Sequence, residues 1–405
     1  MPVRHGVSPW IHQFPSARVS TYPRARGEIT ADVVVVGGGL TGCAAAYACA
    51  ASGLRVVMLE AERIGHGSSG RTAGLLLPEP GPSFREVAGA HGLRAARRAF
   101  ETWRRGSREA ASLLRKLGIR CALEARDGLL VSNRDNEKQF RREYDARNKA
   151  GLEVKWLSSG QAAKATALER ADAIRTRDSF SLDPYRACIG LAAAAARERA
   201  LVFEQSHVTK VRFSRKDAEV VLPTARIRTG NVIVATGTAT REFASLRRHF
   251  KRRERYLVLT DPIPAEVRKH MVRRDVTFGD FDDLHRRVLW TDDNRIVVGG
   301  ADQDEVPERL RKAVLIQRTG QLMYELLRMY PVISGLRPAY GWHLNYGRTA
   351  DGLTYIGAHR NYPHHLFALG DASDSVTGAF VAARILLRAV RKTPEKGDDV
   401  FSWVR

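Results

Sequence analysis

The clearest pattern in the chain is Ala31–Gly42, ADVVVVGGGLTG, where four consecutive valines break any polar alternation. An unbroken apolar run of this kind predicts a parallel strand covered on both faces. Cys43–Ser52 (CAAAYACAAS) carries only small residues and one Tyr, so it predicts a helix that lies close on a sheet and ends at Gly53. Leu54–Glu60 (LRVVMLE) reads as a second buried strand, which completes a β-α-β unit. From Phe84 to Ala162 the pattern turns to long Arg- and Glu-rich helices, with a short strand at Gly128–Ser132. Leu191–Ala200 reads as a helix, followed by strands from Leu201–Phe203 to Asn231–Gly237. Thr238–Pro338 holds strand signals at Tyr256–Thr260 and Arg295–Gly299. The last part returns to the first style, with a strand at His365–Leu369, a turn at Gly370–Ser375 and a helix at Thr377–Val390. No repeat or low-complexity linker divides the chain. Two interleaved domains are expected.

Gly37-Gly38-Gly39-Leu40-Thr41-Gly42 fits G-x-G-x-x-G, and its place between a buried strand and a helix gives it meaning. Gly37 permits the tight turn, Gly39 lets backbone approach a pyrophosphate, and Gly42 lets the helix pack on the strand. The helix N-terminus offers unpaired N–H groups to phosphate oxygens. Glu60 ends the second strand eighteen residues beyond Gly42, where a carboxylate accepts the hydroxyls of an unphosphorylated ribose. The Gly- and Ser-rich stretch Ala61–Gly74 leaves little side chain in the way of a second large group, which favours FAD over NAD.

Composition changes this picture little. The 405 residues are 44% hydrophobic, enough for an ordinary core, and no apolar run is long enough to span a bilayer. MPVRHGVSPWIHQF has no signal-peptide core, and the four cysteines show no C-x-x-C spacing, so a reducing, cytoplasmic setting is expected with neither metal nor disulfide. The formal charge of +22 could draw nucleic acid, anionic lipid or an acidic substrate. The most basic segment, Arg247–Arg255 (RRHFKRRER), reads as a solvated face or as a phosphate-contacting surface.

From Glu60 to Gly74 the residues match an E-A-x-x-[IV]-G-x-G-x-S-G-R-N-x-G run, with Thr72 for Asn. Leu182-Asp183-Pro184, Ala235-Thr236-Gly237, Trp342, Thr349-Ala350-Asp351-Gly352 and Ile356-Gly357 extend the match over about Ser8 to Val390. On these residues the chain resembles the FAD-dependent oxidoreductases of the D-amino-acid-oxidase and glycine-oxidase type, nearest their gamma-glutamylputrescine-oxidoreductase-like branch. The resemblance implies an α/β FAD-binding domain, Rossmann-like and of the glutathione-reductase type, interleaved with an α+β antiparallel-sheet substrate domain. Residues 1–30 form an N-terminal extension; 31–83, 163–237 and 339–405 form the FAD domain; 84–162 and 238–338 form the substrate domain. Non-covalent FAD is implied, held at its ADP half by Gly37, Gly39, Leu40, Thr41, Gly42 and Glu60, with Ala61 and Arg63 beside the adenosine. Ser69, Gly70, Arg71 and Gly74 line the stretch from pyrophosphate to flavin, Val208 offers backbone to the adenine, and Thr236 and Gly237 pass near the phosphates. Gly370, Asp371, Val376 and Thr377 belong to the turn and helix start at the flavin; Asp371 either bonds a ribityl hydroxyl or caps the turn.

The resemblance further implies oxidation of a C–N bond in a small amine or amino acid by hydride transfer to flavin N5, with oxygen or another electron acceptor. Substrate-side candidates are Tyr340, Trp342, His343 and Tyr346, with Asn345 beside them; the aromatics read equally as core. The chain departs from the family pattern at Ala372, Ser373 and Ser375 for glycine, Leu344 for glycine, Thr354 for proline, and Arg287-Val288-Leu289 where relatives carry Tyr and Arg. These departures keep two alternatives open: a flavin-binding interaction subunit with lost or altered chemistry, or a flavoprotein acting on nucleic acid.

Overall fold

The computed structural model describes residues 2–132, 136–169, 171–284, 286–370 and 376–405. Its first strands in chain order are β1 (Arg4–His5), β2 (Gly27–Val36), β3 (Val56–Leu59), β4 (Leu75–Leu76), β5 (Glu124–Ser132) and β6 (Val154–Leu157). There follow β7 (Asp172–Ser181), β8 (Leu201–Phe203), β9 (Lys210–Phe213), β10 (Ala218–Val221), β11 (Ala225–Gly237) and β12 (Lys251–Thr260). The last are β13 (Val276–Asp280), β14 (Arg287–Trp290), β15 (Ile296–Asp304), β16 (Pro338–Arg348), β17 (Tyr355–Ala358) and β18 (His365–Leu369).

These strands form two sheets. The first runs β17-β18-β11-β2-β3-β8, with β10 on β11 and β9 on β10. Its centre is parallel: Val33 to Val36 pair with Asn231 to Val234 on one side and with Val56 to Leu59 on the other. Val33, Val34 and Val35 are fully buried, as the unbroken apolar run requires. The small-residue helix Leu40–Ala50 packs against helices Pro184–Arg197 and Thr377–Arg391 over this sheet. The second sheet runs β1-β16-β12-β15-β14-β13-β5-β7-β4 and is mostly antiparallel. Its outer face packs on helix Glu308–Met329 through Leu315, Leu322 and Leu326.

The predicted strands and helices are present, several with earlier starts. The helix expected at Leu191–Ala200 spans Pro184–Arg197, because Asp183 caps it by accepting the Arg186 N–H at 2.9 Å and proline occupies the first turn. The strand expected at Gly128–Ser132 begins at Glu124, and that at Asn231–Gly237 begins at Ala225. Domain membership differs from the expected boundaries in specific places. β4, β7 and β16, drawn from the stretches 31–83, 163–237 and 339–405, all lie in the second sheet. Conversely, helix Leu93–Lys116, expected in the substrate domain, buries Phe100, Trp103 and Leu114 in the core of the first sheet's helical layer. The chain crosses between layers within single stretches, so a boundary drawn from composition falls inside an element. The extension is also structural: β1 pairs with Tyr340 and Gly341 of β16.

Candidate cofactor and substrate site

The turn after β2 is held so tightly that side chains are excluded. Gly37 sits at φ +111°, and a Cβ there would meet the Ala235 carbonyl oxygen at 2.5 Å. A Cβ at Gly42 would stand 1.8 Å from the Gly37 carbonyl oxygen, so only glycine lets the helix approach its own strand. Gly39 occupies the N-cap of helix Leu40–Ala50 and offers no capping side chain. The first-turn N–H groups therefore face outward toward any anion placed there. One is already shared, since Leu40 N–H donates to Ser69 Oγ at 2.9 Å. Glu60 closes the other side: Gly38 N–H donates to its Oε2 at 2.6 Å and Glu62 N–H to its Oε1 at 2.8 Å.

These groups border a cavity of about 890 Å³ that runs from the glycine turn past Glu60 to Val208 and to Thr236-Gly237. The volume lies in the range of sites for large ligands. Gly37, Gly39, Thr41, Glu60, Ala61, Ser69, Val208, Thr236 and Gly237, all predicted, are on its wall. Leu40 joins them through Ser69, and Gly42 stands behind the turn. Arg63, Gly70, Arg71, Gly74, Gly370, Val376 and Thr377 are not on this wall. Arg241, Phe243 and Arg247 are on it and were missed; Arg247 opens the basic run 247–255, whereas no sequence signal marks Arg241 or Phe243. The glycine cradle, the outward N–H groups and the carboxylate suit an adenosine diphosphate moiety.

The stretch after this cavity leads to the second sheet. Ala73, Leu75 and Leu77 pack against Leu257, Leu259, Leu289, Tyr340, Trp342, Leu344 and Tyr346, so one face of β16 and β12 roofs this strap. Trp342, fully buried, donates its indole N–H to the Arg71 carbonyl at 2.8 Å. Burial lowers the pKa of the Arg71 guanidinium from its ordinary value. Helix Thr377–Arg391 starts at the same strap: Val376 N–H donates to the Leu75 carbonyl and Thr377 Oγ1 to the Leu77 carbonyl, both at 2.8 Å. Gly370 stands at φ +89° where β18 ends. Asp371, with Ala372 to Ser375, lies outside the described residues.

Strand alternation separates the four substrate-side candidates. Tyr340, Trp342 and Tyr346 share the strap-facing side. His343 points the other way, pairing with Tyr256, with ring centroids 6.1 Å apart, in the layer under helix Glu308–Met329. Burial, foremost, lowers the pKa of His343, so it is neutral at pH 7. The strap-facing side also carries a charge cluster that the sequence did not reveal. Arg255, 1% exposed, pairs with Asp302, 5% exposed, at 3.0 Å. Tyr346 donates its hydroxyl to Asp302 Oδ2 at 2.6 Å while the Arg255 guanidinium lies 5.0 Å from the Tyr346 ring.

This pairing alters the reading of the basic run 247–255. Lys251 and Arg253 are bound to Asp304, Arg252 to Glu305 and Arg255 to Asp302. Much of its charge is neutralised within the sheet. Among the described residues no helix is long and apolar enough to cross a membrane, and no cluster suited to a metal ion occurs.

A glycine turn with a carboxylate beside it on one cavity wall, joined by a strap to a β roof, is the arrangement expected of a dinucleotide-dependent flavoprotein. Residues 32–389 match the family described as FAD dependent oxidoreductase (DAO), and the chain belongs to that family. Its sequence is similar to the gamma-glutamylputrescine oxidoreductase of Escherichia coli strain K12, 24% identical over 385 residues, covering 91% of this chain and 86% of that protein. The fold resembles glycine oxidase from Geobacillus kaustophilus, with TM-score 0.77, 18% identity, and 93% of this chain and 99% of that one covered. It likewise resembles L-amino acid deaminase from Proteus myxofaciens, with TM-score 0.77, 15% identity, and 100% of this chain and 99% of that one covered.

Proposed function

We propose that the protein oxidises a carbon–nitrogen bond of a small amine or amino acid. The observation that carries this reading is that the chain runs from the dinucleotide cavity, whose wall it leaves at Ser69, directly into strap residues 71–77, where the N-terminus of helix Thr377–Arg391 and the β16–β12 roof meet. Similarity to an amine-derivative oxidoreductase over nine-tenths of the chain supports the same substrate class.

Gly37, Gly39 and the helix start would hold the pyrophosphate, Glu60 the ribose, and the Val208 backbone the adenine. Ser69, Gly70, Arg71 and Gly74 would continue toward the flavin. The chemistry FAD supplies when bound is acceptance of a hydride at N5 from the carbon beside the amine nitrogen. Helix Thr377–Arg391 would set its positive dipole end toward the flavin, where it favours developing negative charge. The buried roof of Tyr340, Trp342 and Leu344 excludes water and disfavours the ammonium form, so the amine meets the site with its lone pair free. Tyr346, its pKa raised by burial above all, stays protonated and donates to Asp302. His343 has no place on this face. The electron acceptor is oxygen or another carrier.

The test is direct. Purified protein is expected to carry a flavin absorbance that amines or amino acids bleach anaerobically; protein that cannot take up FAD, or a flavin that no such compound reduces, overturns the reading.

A further inference from the structure

The charge of the basic run 247–255 is unevenly committed. Lys251, Arg252, Arg253 and Arg255 are held by Asp302, Asp304 and Glu305. Arg247 lies instead, with Arg241, on the wall of the dinucleotide cavity. Neither of these two guanidinium groups forms an ion pair or hydrogen bond among the described residues. Both belong to the helical segment Arg241–His249, which leaves the first sheet just after Thr236-Gly237. Phe243 and Leu246 of that segment are buried in the core beneath, and the Phe243 ring meets Phe367 edge-on with centroids 5.1 Å apart. These anchors fix the stems of the two arginines at the cavity, while the charged ends stay in water.

The rest of the wall is poor in positive charge. The glycine turn and the helix start offer backbone N–H groups and a partial charge only, and Leu40 N–H is already given to Ser69. Glu60, Glu62 and Glu242 stand on the same wall and repel an anion. We infer that Arg241 and Arg247 are the counter-charges for the diphosphate of the bound dinucleotide: they draw it to the cavity and then hold it with charge-assisted hydrogen bonds. The inference rests on the cavity being the seat of the ADP half of FAD, and adds the side chains that make cofactor loading depend on charge. Part of the +22 formal charge thereby acquires a role.

The test uses the full chain freed of flavin, mixed rapidly with FAD and followed by the change in flavin fluorescence. Association should be about tenfold faster in about 0.01 M than in about 0.1 M potassium chloride, where charges are screened beyond about 30 Å and about 10 Å. The double variant Arg241→Gln/Arg247→Gln should lose most of that salt dependence, and Arg241→Lys/Arg247→Lys should keep it. Calorimetry should find ADP at least tenfold weaker in the Gln double variant, with adenosine, which carries no phosphate, bound as before. Both side chains are exposed, so the variants should unfold at the wild-type temperature. ADP affinity unchanged in the Gln double variant, or an equal loss for adenosine, overturns this inference alone. A wild-type chain that binds neither FAD nor ADP overturns the assignment of the cavity and this inference with it.

Discussion

The dinucleotide cradle and the β roof achieve close packing by opposite means. The cradle is made of backbone: three glycines and a helix start, with Cβ atoms excluded by carbonyl oxygens as near as 1.8 Å. The roof is made of large side chains on alternate positions of β16 and β12, with one ion pair sunk among them. A backbone site tolerates no added atom. A side-chain site tolerates exchange of shape but not of an unpaired charge.

The largest effect is expected in the roof. Arg255→Leu strands the Asp302 carboxylate in a buried place and should cost about 3–5 kcal/mol in urea unfolding. Replacing Asp302 with Leu in the same protein should recover most of that loss; if the double variant is as unstable as the single, the two regions do not differ as argued. In the cradle, Gly42→Ala should cost about 3 kcal/mol and leave protein that purifies without flavin colour, judged by the ratio of visible to ultraviolet absorbance. No second substitution should rescue it, since the obstructing atom is the Gly37 backbone oxygen.

A third effect lies outside both regions and calibrates them. Burial pushes the Asp351 carboxyl up, but Arg405, with a 2.9 Å bond, and His91 outweigh it and bring it down to about 2. A depressed carboxyl stabilises fully above its unfolded value near pH 4, and that contribution disappears as pH falls toward 2. Arg405→Ala should cost about 2 kcal/mol more at pH 7 than at pH 2, where what remains is the loss of its bonds to the Thr354 and Phe401 carbonyls and its stacking on Tyr355, a difference that thermal unfolding at the two pH values would reveal. The smallest effect concerns register. Trp342→Phe loses one hydrogen bond to the strap, about 1 kcal/mol, and should shift the flavin spectrum, whereas His343→Gln on the opposite face should leave that spectrum alone. A spectral change in the His343 variant would reverse the assignment of faces.

What could be read from the sequence follows the same division. Gly37, Gly39, Gly42 and Glu60 were legible because a motif made of backbone demands particular residues at fixed spacing. Val208 and Gly237 came with the family pattern. Tyr340, Trp342, His343 and Tyr346 could not be sorted in advance, because a strand's two faces differ by a single step of register. Arg255 and Asp302 were hidden for another reason: one sits in a run of basic residues and the other on a different strand, and only the β12–β15 pairing joins them. Helix Leu93–Lys116 misled by composition, its Arg-rich solvent side masking Phe100 and Trp103.

The parallel centre of the first sheet also bears on how the protein is made. β2 lies beside β11, and β11 beside β18, so the platform under the cradle joins Val34 to Val232 and that in turn to His365. Such distant pairings form late and slowly. On a ribosome the glycine turn emerges early but has no completed platform beneath it until most of the polypeptide has been synthesised, so cofactor loading is an event of the finished chain, and an interrupted translation product should leave the ribosome colourless.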